Sequence, residues 1–350
     1  MVMKSLVGGA LAAVMTLGAV SAANADDPRH RWKMHSAFGS KVAILGPAGV
    51  RVAENITNIS KDTIRVRFFE PGALVPGVQY FDPVSSGSLD SAWGSPGYHM
   101  GQDTAYGFFT AVPFGPGFGE YNAWMFHGGG HEIYQEMMAA KNIHGRICGM
   151  IPPETSGWFR EPVEKITDLK GMKMRFFGLG ARVMEKIGVS TQLLAGGDIY
   201  PALELGSIDA TEFAMPSIDE TLGFYQIAKH NYFPGWHQPS SFGEILVNMD
   251  KWNQLNDWQK SVVNIVCDAN IMQEYVDGES QQGAALNRMK NDHGVTLHSW
   301  SDEDLALLEE KWVEVANEEA AANPNFKRVW DHYSAYREEQ KEWLSRGYLK

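Results

Sequence analysis

Arg175 is the residue whose type and position first indicate chemistry. It lies in KGMKMRFF (170–177), an apolar segment with the pattern of a buried strand, shortly before a glycine turn. A guanidinium keeps its charge at neutral pH, and burying a lone cation costs several kcal/mol. The sequence therefore predicts that a negatively charged group meets Arg175.

The segment HGGGHE (127–132) resembles two enzyme motifs, but neither motif is complete. The HGGG loop of esterases requires a G-x-S-x-G elbow as well, which this sequence lacks. A zinc-binding helix requires H-E-x-x-H, and Gln135 stands where the second histidine belongs. We therefore interpret 127–132 as a glycine-rich turn that leads into a helix.

A second glycine motif, GLGARV (178–183), follows the strand that carries Arg175. A dinucleotide-binding loop has a third glycine where this chain has Val183. We expect these glycines to let the backbone turn sharply beside Arg175. Neither glycine motif supports an enzyme.

The N-terminal segment and the composition of the chain indicate an exported protein. Residues 1–25 have Lys4, a run of small apolar residues and the cleavage pattern Ala23-Asn24-Ala25, which is typical of a secretory signal peptide. No other stretch approaches the roughly 18 apolar residues that a membrane span needs. We therefore expect a soluble, periplasmic protein.

Charge and cysteine content narrow the class of partner. The formal net charge is -12, and no basic patch appears, which argues against nucleic acid as a partner. In an oxidising compartment Cys148 and Cys267 could form a disulfide, or they could remain two buried thiols. The sequence leaves both possibilities open.

Strand patterns and helix patterns alternate along the chain. DTIRVRFFEP (62–71), 170–177 and SIDATEF (207–213) are predicted strands, and GGDIYPALELG (196–206) is a predicted helix with Asp198 as N-cap. The pattern becomes mainly helical from about 250.

Two predicted helices begin with the spacing of a capping box. Ser217 with Glu220 forms one such pair, and Ser301 with Asp304 forms the other. Strands that alternate with helices indicate an α/β architecture with largely parallel sheets. About 325 residues after position 25 are enough for two such lobes, with a ligand in the cleft between them.

Several longer segments resemble one family. ITDLKGMKMRFFGLGARVMEKIGV, GGDIYPALELGSIDATEF and HNYFPGWHQPS are similar to the solute-binding proteins of TRAP (tripartite ATP-independent periplasmic) transporters, the DctP-type family. TAVPFG, EYNAWMFHGGG, IPPETSGWFR and FPGWHQP resemble the branch that binds 2-oxo and 2-hydroxy monocarboxylates with a metal ion.

The resemblance implies a two-lobed α/β periplasmic binding protein with an interlobe cleft, crossing strands and long C-terminal helices. Lobe I is expected at 26–151 plus about 240–280. Lobe II and the C-terminal helices are expected at 152–239 plus about 281–350.

The resemblance also implies a binding role for Arg175. Arg175 matches the family arginine that forms a bidentate salt bridge with the ligand carboxylate, for which its planar donors are suited. The alternative is an internal ion pair with Glu212 that braces the sheet.

A metal site is implied next to that arginine. Glu212 matches the family's acidic metal ligand, Phe213 the position that offers a backbone carbonyl, and Glu154 a position that is Gln in some relatives. Two glutamates and a ligand carboxylate against one arginine leave two negative charges, which a divalent ion cancels. Hard oxygen ligands favour Ca²⁺, with Na⁺ as the alternative, although Glu154 could also be a solvated loop carboxylate.

Further ligand contacts are expected from aromatic and amide side chains. For each aromatic residue, packing in the core is an equal alternative. These candidates are Trp93, Tyr98, His99, Asn122, Trp236 and Gln238. We expect no metal role for His127, His131, His230 and His237.

The resulting expectation is a receptor without a chemical step, which delivers a lactate-like or pyruvate-like anion to the small and large TRAP membrane subunits. A dicarboxylate is the first alternative, if Arg146, Arg160 or Arg182 reaches the cleft, and an exported hydrolase is the second. The amphipathic segment 325–346 packs on its own subunit or forms a homodimer.

Overall fold

The structure is a computed structural model that describes residues 27–348. The predicted signal peptide, 1–25, lies outside the described residues. Within 27–348, no helix combines the length and apolar character needed to cross a membrane.

The described residues form strands and helices in alternation over the first two thirds of the chain and mainly helices after that. The strands are β1 (His30–Ser36), β2 (Ile64–Phe69), β3 (Ser91–Gly94), β4 (Ile143–Ile151), β5 (Gly157–Phe159), β6 (Lys173–Arg175), β7 (Ser190–Gln192), β8 (Ala210–Thr211), β9 (His230–Phe233), β10 (Ser241–Asn248) and β11 (Thr296–Ser299). The helices are α1 (Leu45–Ile59), α2 (Phe81–Ser85), α3 (Phe118–Phe126), α4 (Gly130–Ala139), α5 (Gly178–Lys186), α6 (Gly196–Glu204), α7 (Pro216–Leu222), α8 (Met249–Asn253), α9 (Asp257–Asn291), α10 (Asp302–Ala322) and α11 (Pro324–Gly347).

The first sheet has the strand order β2-β1-β3-β10-β4. Strand β1 is parallel to β2 and β3, and β10 is antiparallel to β3 and β4. The strand predicted at 62–71 is confirmed as β2, in which Ile64 and Val66 are buried while Arg65 and Arg67 are exposed. Alternation along one half-buried strand was therefore a sufficient signal.

The second sheet has the order β11-β9-β5-β8-β6-β7. The strands predicted at 170–177 and 207–213 are present as β6 and β8, but each is shorter than predicted. Beyond Arg175 and Thr211 the two strands no longer pair regularly. The residues that follow both strands therefore face the space between the two sheets. The α/β class with two sheets is confirmed.

Helix α9 connects the two halves. Its 35 residues span about 52 Å. Near its start a disulfide joins Cys267 to Cys148 of β4, which decides the pairing that the sequence left open. Near its end Arg288 forms an ion pair with Glu220 of α7. Helix α9 therefore contacts segments from both halves of the molecule.

Both predicted glycine turns are confirmed. Gly129 has a φ of 94° between α3 and α4, and Gly178 has a φ of 67° at the start of α5. Both angles lie in the left-handed region, which glycine adopts without a steric penalty.

One capping box is confirmed, and two helix starts differ from the prediction. Ser301 accepts a hydrogen bond from the Asp304 backbone at 3.1 Å, as predicted. Helix α7 begins instead at Pro216, because Ser217 and Glu220 both bind α9 rather than each other. Asp198 lies in the first turn of α6 and is not its N-cap.

Helix α11 packs on its own chain. Its apolar face buries Phe326, Val329 and Tyr333, and its Arg328 forms an ion pair with Glu136 of α4. The predicted boundaries group this helix with lobe II, whereas these contacts are with the part of the chain assigned to lobe I. The division into lobes and a homodimer through this helix stay predictions.

Candidate functional site

A cavity of 40 Å³ lies between the two sheets. At roughly 10–15 Å³ of such volume for each water molecule, the cavity holds roughly three waters or a ligand of a few atoms. Apolar residues of its wall include Phe38, Leu45, Trp93, Ile151, Phe177, Phe213 and Phe242. The polar and charged side chains at the wall are Ser95, Tyr98, Glu154, Arg175, Gln238, Ser241 and Glu274.

Arg175, the last residue of β6, lies at this wall and is 1% exposed. Its Nη1 donates to the Glu212 backbone oxygen at 2.9 Å and to Glu212 Oε1 at 2.8 Å, while its Nε donates to Leu194 O at 3.2 Å. The guanidinium is thereby fixed in orientation, and within residues 27–348 these three bonds leave its Nη2 group unused. Arg175 therefore forms the internal ion pair with Glu212 and also lies at the cavity wall.

Glu212 lies beside Arg175 and is fully buried. Its Oε1 also accepts from the Phe177 backbone at 2.5 Å, whereas its Oε2 has no hydrogen-bond partner among residues 27–348. One half of this carboxylate is thus used for positioning, and the other half is available.

Glu154 and His237 face the available half of Glu212. The Nε2 atom of His237 is 3.6 Å from Glu212 Oε2 and 3.6 Å from Glu154 Oε2, which is longer than a hydrogen bond. One ligand atom from each of the three residues lies within 4.8 Å of the other two. Gln238 donates a hydrogen bond to Glu154, and its own Oε1 is without a partner in the described chain.

Two glycines let these segments approach. A Cβ atom on Gly235 would lie 2.3 Å from the Glu154 backbone oxygen, and one on Gly180 would lie 2.7 Å from the His237 side chain. Both distances are too short for any larger residue without a backbone shift. The glycines of GLG and PGWHQP therefore bring His237 to the carboxylates.

Burial and charge shift the protonation of this group in opposite directions. Burial raises the pKa of Glu154. Burial acts in the same sense on Glu212, but Arg175, His237 and the Phe177 backbone N–H together outweigh it and lower that pKa. Burial lowers the pKa of His237, and the two neighbouring carboxylates outweigh it and raise that pKa. A positive charge next to the two carboxylates, on His237 or on a bound ion, therefore favours their ionised forms.

The donor atoms fit a metal ion. Glu212 Oε2 and Gln238 Oε1 are buried oxygens without a partner in residues 27–348, and His237 Nε2 is a buried nitrogen in the same state. Such atoms cost free energy unless a ligand or an ion completes them. Glu154, Glu212 and His237 together offer two oxygens and one nitrogen within 4.8 Å of one another, and Gln238 is hydrogen-bonded to Glu154.

The structure brings together most of the predicted site residues. Glu154, Arg175, Phe213, Gln238, Trp93 and Tyr98 lie at the cavity wall, with Glu212 directly behind Arg175. The Arg175 guanidinium lies 5.0 Å from the centre of the Phe213 ring. Burial raises the pKa of Tyr98 to about 12, so its hydroxyl is a donor at neutral pH.

Three predicted ligand contacts lie elsewhere. His99 Nε2 is 2.6 Å from Glu244 Oε1 in the interior of the first sheet. Asn122 donates to the Phe118 backbone at 2.8 Å, which occupies its amide within α3. Trp236 is buried against Phe114 and Phe176, as the packing alternative expected.

Two residues of the site were missed. His237, for which no metal role was expected, lies with Glu154 and Glu212 in a group that could hold a metal ion. Glu274 is buried at the cavity wall in α9. It lies at helical spacing from the buried residues Cys267, Ile271 and Gly278, so an acid on an apolar helix face was a usable signal.

Two sheets joined by crossing segments and a long helix, with a buried arginine at a cavity between them, define a two-lobed solute-binding protein. Residues 40–323 match the model of the family described as bacterial extracellular solute-binding protein, family 7 (DctP). The chain therefore belongs to this family, the solute-binding proteins of TRAP transporters.

Relatives with a described ligand cover nearly the whole chain. A monocarboxylate 2-oxoacid-binding periplasmic protein of Nostoc sp. (strain PCC 7120) is 32% identical over 326 residues, which is 92% of this chain and 88% of the relative.

Two solved structures of TRAP solute-binding proteins share the fold. One, from Bordetella bronchiseptica RB50, is 28% identical with a TM-score of 0.89, covers 91% of this chain and 95% of its own, and holds copurified calcium and picolinate. The other, from Pseudoalteromonas atlantica T6c, is 26% identical with a TM-score of 0.85, covers 90% and 96%, and holds sodium and pyruvate.

Proposed function

We propose that this protein captures a small 2-oxo or 2-hydroxy monocarboxylate of the pyruvate and lactate type together with a metal ion. It then delivers the anion to the small and large membrane subunits of a TRAP transporter. The observation that carries the proposal is the pairing of Arg175, held at the cavity wall, with the three-residue group Glu154, Glu212 and His237.

Arg175 supplies the anion site. Its Nη1 and Nε groups are used by the protein, so its Nη2 group donates to a ligand carboxylate, with the Tyr98 hydroxyl as a second donor. Charge-assisted hydrogen bonds of this kind are about twice as strong as neutral ones.

A monocarboxylate fits the cavity better than a dicarboxylate. Of the residues from 27 to 348, Arg175 is the one basic residue at the wall. Arg146 forms an ion pair with Asp268, Arg182 pairs with Glu185, and Arg160 donates to the Leu203 backbone. A second carboxylate would therefore be buried without a cation, at a cost of several kcal/mol.

Charge balance favours a divalent ion. With an ion bound to the neutral form of His237, Glu154, Glu212 and the ligand carboxylate contribute three negative charges and Arg175 contributes one positive charge. A divalent ion neutralises the remaining two, whereas Na⁺ leaves one buried. We infer that Ca²⁺ is the resident ion and that Na⁺ is the alternative. The relatives hold one or the other, and glutamate and glutamine oxygens suit both.

The protein performs no chemical step on the anion. The cavity takes residues from both sheets, so a ligand gains its full set of contacts when the two halves are closed around it. Ligand and ion then shift an equilibrium between open and closed forms towards the closed form. Delivery takes place outside the cytoplasm, in the periplasm.

Calorimetry with the purified protein tests this proposal. We expect pyruvate and lactate to bind saturably with calcium present. EDTA, and separately Arg175→Ala, should each weaken binding at least about 100-fold. Arg182→Ala, at an exposed arginine on α5, is the matched control and should bind as the wild type does. Unchanged affinity in Arg175→Ala, or no binding of either acid by the wild type, would refute the proposal.

A further inference from the structure

Glu274 is a buried acid whose function the metal and arginine site does not explain. It lies in the middle of α9, it is 1% exposed, and it lines the cavity from the side of the first sheet. Neither of its carboxylate oxygens has a hydrogen-bond partner of normal geometry among residues 27–348. The carboxyl group is therefore incomplete where a ligand would be.

A glycine of β4 makes room for this carboxyl group. A Cβ atom on Gly149 would lie 2.0 Å from Glu274 Oε2 and 2.9 Å from the Trp93 ring. Any larger residue at position 149 would displace the acid. The space between β4, Trp93 and α9 is thus shaped around the Glu274 carboxyl group.

Arg51 is the basic residue whose charge acts on Glu274, and its Nη2 has no hydrogen-bond partner among residues 27–348. Arg51 donates to Asp277 and to Asn270, both at 2.9 Å, and makes no ion pair with Glu274 in the described chain. Burial raises the pKa of Glu274 to about 8, against the smaller opposing effects of Arg51 and the Met150 backbone. At neutral pH the group is mainly a neutral carboxyl, which can both donate and accept a hydrogen bond.

We propose that Glu274 binds a hydroxyl group on the part of the ligand remote from Arg175, so that the preferred anion is a short hydroxylated 2-oxo acid. The inference rests on the proposed function and adds the substrate class to it. A hydroxyl group both donates and accepts, as a carboxyl group does, and it adds no charge to the cavity.

Other ligand ends fit less well. A second carboxylate would meet an acid where the wall has no second cation. A purely alkyl end would leave Glu274 buried and unpaired, which is the arrangement that binding sites select against most strongly. The small volume of 40 Å³ favours a short acid.

Two pairs of acids of matched shape test the inference. The first pair is 3-hydroxypyruvate and 2-oxobutyrate, and the second is 4-hydroxy-2-oxobutyrate and 2-oxopentanoate. In each pair a hydroxyl group replaces a methyl group. With calcium present, we expect calorimetry to show tighter binding of a hydroxylated acid by at least about tenfold in one or both pairs.

Three variants separate hydrogen bonding from shape. Glu274→Gln keeps a donor and an acceptor and should retain most of the preference. Glu274→Leu should remove or reverse it while 2-oxobutyrate still binds. Glu279→Gln, at an exposed acid of the same helix, should match the wild type. Far-ultraviolet circular dichroism checks that each variant is folded.

The outcomes for the two proposals differ. If the matched acids bind with equal affinity, or if Glu274→Leu keeps the wild-type preference, Glu274 does not select a hydroxyl group and only this inference fails. If none of the four acids, pyruvate or lactate binds, the proposed function itself fails and takes this inference with it.

Discussion

Glu244 and Glu212 are both fully buried glutamates with a histidine nearby, yet their surroundings differ. Glu244, in β10, has His99 Nε2 at 2.6 Å from its Oε1, and the Tyr134 hydroxyl donates to its Oε2. The Tyr80 hydroxyl lies 3.4 Å from Oε1 as a weaker third contact. Both oxygens of Glu244 are therefore paired within the protein.

Glu212 has only one oxygen paired in the part of the chain that the structure describes. Its histidine, His237, stands 3.6 Å away, outside hydrogen-bond distance, and shares that spacing with Glu154. The comparison teaches that a buried charge does not by itself indicate a ligand site. The indication is a set of buried donors and acceptors that the protein leaves incomplete.

The largest expected effect comes from exchanging the two glutamates for glutamine. Glu212→Gln should weaken Ca²⁺ binding, and pyruvate binding with it, at least about 100-fold, because a neutral amide replaces a charged metal ligand. Glu244→Gln should leave both affinities within about twofold and lower the free energy of unfolding by about 2 kcal/mol, because Tyr134 and His99 lose a charged acceptor.

Calcium titration and chemical denaturation measure these two quantities on both variants. A similar loss of calcium affinity in the two variants would contradict the comparison, since it would make the Glu244 group part of the site. The comparison would also be contradicted if Glu212→Gln lost as much stability as Glu244→Gln while its calcium affinity stayed unchanged.

Local patterns were sufficient to predict that Arg175 is buried beside a negatively charged group. Arg175 and its glycine turn are adjacent in sequence, and Glu212 directly follows the strand that pairs with β6. The fold class and the mainly helical character after about 250 were likewise predictable, because hydrophobic period is a local property.

Partners that are distant in sequence could not be predicted in this way. His99 was expected at the ligand because it lies in an aromatic loop, and nothing near it indicates Glu244, which lies 145 positions later. His237 was set aside for the same reason, because its carboxylates come from two other segments. A single sequence shows which side chains can do chemistry, but not which of them the fold completes.

The two histidines give the next comparison. His237→Asn should weaken Ca²⁺ binding about tenfold, because one atom of the donor set is lost or displaced while both carboxylates remain. His99→Asn should leave calcium affinity unchanged and reduce the free energy of unfolding by about 2 kcal/mol, because Glu244 Oε1 then keeps the weaker Tyr80 contact in place of the short one. Titration with calcium and denaturation by guanidinium chloride measure both. A change in calcium affinity on replacing His99 would show that the two groups are coupled.

The last prediction concerns Glu274, which belongs with Glu212 as an acid that the protein leaves incomplete. Burial raises its pKa from 4.5 to about 8, so the folded protein holds a proton there that the unfolded chain releases above pH 4.5. The contribution to stability is complete at low pH and declines as the pH rises through this window, by at most about 1.4 kcal/mol per pH unit.

Glu274→Gln cannot titrate at this position. The difference in unfolding free energy between variant and wild type should therefore grow in favour of the variant from about pH 5 to about pH 8 and level off above it. Denaturation across that range, in EDTA and without an organic acid, measures the difference, and Glu279→Gln is the control whose curve should parallel the wild type. Parallel curves for Glu274→Gln and the wild type would mean that the carboxyl group is ionised in the fold and that a partner neutralises it, as Arg175 does for Glu212.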